Sequence, residues 1–158
     1  MKYNPIGIIH TPYKTREVTP HHTYESDAIG EVEVYPKFEP GLTGIELYSH
    51  IILIYEFHKA NRTQLLVVPH HDNKLYGVFA TRSPDRPNPI GISVVKLLAR
   101  ERNILKVQHL DILDGTPLLD IKPYLSNELR ESSISEEHMK NNTLCKFSTR
   151  SHCKYNCD

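Results

Sequence analysis

The stretch Gly77-Val78-Phe79-Ala80-Thr81-Arg82-Ser83-Pro84-Asp85-Arg86-Pro87-Asn88-Pro89-Ile90-Gly91 joins two β-like runs through a loop with three prolines in six positions. Each proline fixes its own φ near −65° and pushes the residue before it out of the helical region. The loop is therefore stiff and extended, and it presents Arg82, Arg86 and Asn88. A rigid loop loses little entropy when it binds, and an arginine fork grips a carboxylate or phosphate at two points. The same residues would also suit a plain surface connection, since polar side chains are common on loops.

Outward from this loop the chain reads as short strands. Ile6–Ile9, Glu31–Tyr35, Ile51–Phe57, Leu65–Val68, Leu75–Ala80, Ile92–Leu98 and Ile104–Leu110 are rich in Val, Ile, Tyr and Phe, with turn residues between most of them. Thr43-x-x-Glu46 and Ser133-x-x-Glu136 have capping-box spacing, the second opening a short helix near Ile134–Lys140. The pattern predicts one mostly-β domain over residues 4–125, barrel or sandwich-like, and a polar tail with a short helix over 126–158. With 39% hydrophobic residues, a chain of this length can bury roughly 70% of its unfolded surface. A core is thus available without disulfides.

Charge and cysteine usage narrow the class. Nineteen basic and nineteen acidic residues cancel, which argues against a polybasic tail while leaving room for a local patch. Between Ala80 and Arg102, Arg82, Arg86, Lys96, Arg100 and Arg102 face only Asp85 and Glu101, an excess able to attract a carboxylate or a phosphate backbone. The longest compact apolar run, Ile51–Ile54, is far shorter than the ~18 residues of a membrane span, and residues 1–5 do not read as a signal peptide. Cys145, Cys153 and Cys157 crowd the last fourteen residues rather than spreading through the fold. That predicts a reducing, cytoplasmic setting.

A second chemical cluster runs from Leu110 to Tyr124. Asp114-Gly115 reads as a turn, since both residues tolerate positive φ. Asp111 follows an apolar run and is less easily read as turn chemistry; it could hold an ammonium group or accept a proton. No calcium-loop spacing, H-E-x-x-H, C-x-x-C, G-x-S-x-G, P-loop or G-x-G-x-x-G is found. Cys145, His152, Cys153 and Cys157 have loose spacing, so no metal site is expected.

Taken together, Gly77-Val-Phe-Ala-Thr-Arg-Ser-Pro-x-Arg-Pro-Asn-Pro-Ile-Gly91 and Leu110-Asp-x-x-Asp-Gly-Thr-Pro-x-x-Asp-Ile-Lys-Pro-Tyr124 resemble the TrmO (TsaA-like or YaeB-like) family. The opening Pro5–Lys14 and the block from Gly41-Leu42 to Phe57-His58 resemble it in the same order. This resemblance implies a compact β-barrel, commonly a homodimer, that binds S-adenosylmethionine without a Rossmann fold. It implies methylation of N6 of threonylcarbamoyl-adenosine beside the tRNA anticodon. Carried over by motif, the cofactor-binding positions are Arg82, Ile92, Lys59, Ala60, Gln108, His109, Leu110 and Asp111. Thr23, Tyr24 and Glu25 follow from an element that reads Pro20-His21-His22 here.

Side-chain chemistry supplies roles for these positions. Arg82 suits the cofactor's carboxylate and Asp111 its ammonium. Arg86 is expected to take the threonyl carboxylate and Asn88 to hydrogen-bond the carbamoyl group, the two forming the catalytic pair. Two other readings fit the same residues. One is a module that binds S-adenosylmethionine without acting on tRNA; the other is a methyltransferase with a different acceptor.

Overall fold

The structure, a computed structural model, describes residues 3–69 and 73–125. The predicted tail and its Ser133 helix lie outside the described residues. Two compact units are present: one spans residues up to 64 and 84–124, the other residues 65–83 with Leu125.

The first unit is a closed barrel built from β1 (Gly7–His10), β2 (Ile29–Val34), β3 (His50–Glu56), β6 (Ile90–Glu101), β7 (Ile104–Gln108) and β8 (Thr116–Pro123). Around the barrel the order is β1-β2-β7-β6-β3-β8, with every neighbouring pair antiparallel. Of the two shapes open to the strand pattern, the barrel is the one that forms. The second unit carries a two-stranded sheet of β4 (Leu66–Val67) and β5 (Tyr76–Gly77).

Alternation along each barrel strand sends one set of side chains inward. Ile9, Val32, Val34, Ile51, Leu53, Tyr55, Val95, Leu105, Val107 and Leu118 are all buried in one cluster, joined by Leu42, Leu110 and Ile112 from the loops. β6 closes the barrel by serving two partners. Ile90–Lys96 pairs with β3 and Lys96–Glu101 with β7, and the register shifts between Leu97 and Ala99. Such a bend is how a sheet of short strands curls far enough to close. Gly91 is required where Tyr55 crosses the barrel, because a Cβ there would run into the tyrosine ring.

Several elements differ from their sequence reading. The run Leu75–Ala80 is strand only over Tyr76–Gly77 and then tightens into a 3-10 turn, Val78–Ala80, as Val78 N–H bonds back to Leu65 O. Thr43 does not cap a helix: its hydroxyl turns back to Pro40 O, and Gly44, at φ 83°, sits at the head of the Ile45–Leu47 turn. β8 was hidden by its prolines. Pro117 lies before pairing with β3 begins at Leu118 and Pro123 closes the strand, so both occupy positions a sheet tolerates. Among the described residues no helix is long and apolar enough to cross a membrane.

Because the strands alternate in direction, the two ends of the barrel receive different loops. One end, the rim, collects residues 11–28, 57–64 with 84–89, and 109–115. The opposite end, the base, collects residues 35–49 and the tight turn at Arg102-Asn103.

Candidate functional site

All but one of the sequence-nominated residues fall in the first unit, and they gather at the rim. The short β7–β8 connection shows how they are held. His109 adopts φ 69°, an uncommon left-handed conformation for a residue with a side chain. Its N–H bonds to Ala28 O at 3.0 Å and its ring Nδ1 lies 2.8 Å from Ser26 O. A carbonyl accepts only, so Nδ1 carries the proton. This kink buries Leu110 completely and returns the next residue, Asp111, to the rim half-buried.

Asp111 is fixed by a relay through the barrel interior. Ser93 Oγ donates to Asp111 Oδ1 at 2.6 Å, and Tyr55 OH lies 3.0 Å from the same Ser93 Oγ. With the serine proton committed to the carboxylate, the tyrosine donates to the serine. Tyr55 and Ser93 are both buried, so the chain of bonds is shielded from water and rigid. Neither residue stood out in the sequence. The available signal was a serine at an inward position of an otherwise apolar strand.

Asp114, three residues on, does structural work. Oδ1 accepts Thr11 N–H at 2.9 Å and Oδ2 meets Lys14 Nζ at 2.6 Å, while Gly115 turns the chain at φ 73°. The Lys14 hydrogen bond, helped by the Thr11 amide, holds this carboxyl below the usual aspartate range against a smaller burial effect. Asp114 is thus the turn residue its sequence context indicates.

The long β1–β2 connection brings Thr23–Glu25 as a 3-10 turn beside β6. Tyr24 is exposed and stacks on His22, with ring centres 5.1 Å apart. Glu25 accepts His21 N–H at 3.2 Å. Ile92 is half exposed on the outer face of β6, next to the inward Ser93. The turn, Ile92 and the His109–Asp111 corner therefore share one side of the rim. Gln108 is the last residue of β7, paired with Ile29 and Lys96.

The β3–β6 connection reaches the same rim, beside the start of β6. Phe57 N–H bonds to Pro89 O at 2.7 Å, which draws the proline loop over the end of β3. Ala60 N–H bonds to Phe57 O, and Lys59 O accepts the Arg16 guanidinium. His58 lies 3.3 Å from Thr116 Oγ1, and burial, followed by the charge of Lys59, pushes its ring below the usual histidine pKa. Arg86 lines an open cleft of about 290 Å³ with Ala60, Asn61, Arg62, Thr63, Pro87 and Pro89. Asn88 O accepts Ile90 N–H, and its side chain is exposed.

Arg82 belongs to the second unit. It is exposed and follows the Val78–Ala80 turn, where Thr81 N–H and Oγ1 both bond to Val78 O. Among the described residues no group of three or more His, Cys, Asp or Glu side chains could hold a metal ion. The cysteine-containing segment lies outside them.

The rim can hold a ligand that is part cation and part apolar plane. Asp111 offers a preorganised carboxylate, while Ile92 and Tyr24 offer exposed apolar surface on the same side. That donor set fits an aminoacyl-nucleoside better than a bare phosphate chain.

Comparison with known proteins bears on this geometry. Residues 8–129 match the family described as the tRNA-methyltransferase O N-terminal domain. An Archaeoglobus fulgidus protein named an S-adenosyl-L-methionine-binding protein is 48% identical over 124 residues, covering 78% of this chain and 89% of its own. The Escherichia coli tRNA (adenine(37)-N6)-methyltransferase is 36% identical over 147 residues, covering 85% of this chain and 63% of its own. The crystal structure of TrmO from Pseudomonas aeruginosa superimposes with a TM-score of 0.72 at 36% identity, over 85% of this chain and 60% of that one. The chain thus spans less than two thirds of the last two proteins. With a family match across most of the sequence and a solved relative sharing its fold, this chain belongs to the tRNA-methyltransferase O N-terminal domain family.

Proposed function

We propose that the protein is an S-adenosylmethionine-dependent methyltransferase that acts on N6 of threonylcarbamoyl-adenosine beside the anticodon of tRNA. The observation that carries this reading is convergence: three separate loops bring Thr23–Glu25, Lys59–Ala60, Arg86–Asn88 and Gln108–Asp111 to one end of a single barrel. The names of the relatives support the cofactor, and the Escherichia coli relative supports the acceptor.

When bound, the cofactor supplies a methyl group on a sulfonium. Asp111, immobilised by Ser93 and Tyr55, would hold its ammonium, and Ile92 with Tyr24 would cover its apolar base. Gln108, His109, Leu110, Lys59 and Ala60 line the same rim and contribute backbone as much as side chain. Arg82 is nominated for the carboxylate from its motif alone. On the acceptor side, Arg86 takes the threonyl carboxylate and Asn88 orients the carbamoyl group, so that the nitrogen is held rather than found by diffusion. Homodimerisation, with tRNA as partner, is part of the same reading.

The test is label transfer from methyl-labelled S-adenosylmethionine into tRNA that carries threonylcarbamoyl-adenosine. Label in that nucleoside, lost with Arg86→Ala, is the expected result. Saturable cofactor binding without transfer to any tRNA would overturn the enzymatic reading in favour of a binding module. Calorimetric titration of Arg82→Ala tests the motif-based assignment, and light scattering tests the dimer. If tRNA lies along basic loops, its affinity falls steeply with added salt.

A further inference from the structure

We propose that the cleft between Ala60–Thr63 and Arg86–Pro89 is a carboxylate-binding subsite in which Arg62, positioned by Asp85, grips the acceptor together with Arg86. This inference rests on the reading of the acceptor given above and adds a residue that the sequence motifs do not mark.

The ion pair at this cleft is lopsided. Asp85 Oδ2 meets Arg62 Nε at 2.6 Å, yet the aspartate side chain is 6% exposed and the arginine 64%. Burying a carboxylate is costly unless it is paired. A pair that served burial alone would draw both partners inside. Here the carboxylate is sunk in the proline loop and the guanidinium is left at the cleft wall. Asp85 engages Nε, which leaves the fork's terminal nitrogens outside this contact on a side chain that is mostly exposed.

Asp85 is itself well fixed. It lies between Pro84 and Arg86, and its carbonyl accepts Gln64 N–H at 3.0 Å, which ties the two walls of the cleft together. A guanidinium anchored to such a group loses little further entropy on binding. Arg86 is the second cation of the same cleft. Two guanidinium groups at one cleft suit a ligand that carries a carboxylate. Asn61 and Thr63 add amide and hydroxyl groups on the same wall. At about 290 Å³ the cleft falls at the small end of ligand sites, room for an amino-acid-sized group rather than a whole nucleoside. A threonyl group, with its carboxylate, hydroxyl and amide, has that size and that chemistry.

An RNA phosphate is the other anion such a cleft could meet, and the test separates the two. Two synthetic anticodon stem-loops are compared, one bearing threonylcarbamoyl-adenosine and one bearing its methyl ester. Arg62→Ala raises KM for the free acid by roughly 10–100-fold, with kcat and cofactor affinity unchanged, and leaves the ester unaffected. Arg62→Lys recovers part of the loss, and Asp85→Asn reproduces its selectivity in weaker form. Equal weakening of both RNAs would assign Arg62 to phosphate and overturn the subsite; no change in either would do the same. Arg62→Lys keeps a cation beside the buried Asp85, so that variant carries the test even if Arg62→Ala or Asp85→Asn loses stability. Binding of the free nucleoside, measured by titration, keeps the two readings apart. Binding that needs Arg62 without any methyl transfer would uphold the subsite and overturn the reaction. Transfer that ignores Arg62 would uphold the reaction and overturn the subsite.

Discussion

The two ends of the barrel are built from the same strands and do opposite things. At the base, loop side chains close hydrogen bonds onto backbone. Asn103 Nδ2 donates to Val34 O at 2.7 Å, Arg100 Nη1 donates to Leu42 O and to Glu46 at 3.0 Å each, and Leu42 plugs the core. At the rim, polar groups are fixed but turned outward: Asp111 by Ser93, Arg62 by Asp85, and His109 by the Ser26 carbonyl. Rigidity at the base stabilises the barrel. Rigidity at the rim fixes the charges that, on the proposed function, meet the ligand.

The contrast is tested by substitutions that should move one property and spare the other. The largest expected effect is Asp111→Asn, which removes the preorganised charge but keeps an oxygen to accept from Ser93. Cofactor affinity should fall by roughly 10–100-fold while the melting temperature shifts by at most a few degrees. A large melting shift with unchanged affinity, by calorimetry, would show that Asp111 belongs to the architecture instead.

Arg100→Ala makes the reverse prediction at the base. It leaves Leu42 O without that donor and costs about 1–3 kcal/mol by denaturant titration, with methyl transfer unchanged. Loss of transfer in well-folded protein would erase the distinction between the ends.

A smaller effect tests whether the rim also contains scaffold. Lys14 and the Thr11 amide depress the Asp114 carboxyl, so its stabilising contribution is present above the ordinary aspartate pKa and is lost as the pH falls through the lowered value. Asp114→Asn should flatten stability against pH from about pH 4, the ordinary aspartate range, downward and leave cofactor affinity alone. Steep acid sensitivity in the variant would assign that limb to another group.

The smallest effect is expected at Glu46, whose carboxylate meets Arg100 in solvent. Glu46→Gln should give no resolvable change in melting temperature at moderate salt. A clear drop would mean that the base depends on its surface charge as well as on Arg100's bond to Leu42.

Much of the barrel was legible because its strands alternate. Ile51, Leu53 and Tyr55 show the period of two that places them inside, and Ile104 to Gln108 shows it again. β8 was not legible, since Pro117, Asp120, Lys122 and Pro123 suit a loop as well as an edge-tolerant strand. The second half of β6 is not legible either, because Leu98, Ala99 and Arg100 break alternation at the register shift. Asp111 was visible as an acid beside an apolar run. Its supporting relay was not, because Tyr55 and Ser93 read as ordinary strand residues until β3 and β6 pair. Arg62 and Asp85, separated by the inserted second unit, carry no spacing signal at all.

By itself the sequence determined the β class, the stiff proline loop, the turn at Asp114-Gly115 and the family, since these depend on local backbone limits and on motifs read in order. Tertiary structure alone decided that the barrel closes, that three distant loops share one end, and that Ser93 and Asp85 hold Asp111 and Arg62 in place. Those are facts of strand register and chain crossing. Hydrogen bonds between residues 18 or 23 positions apart exist only once the sheet has brought them together.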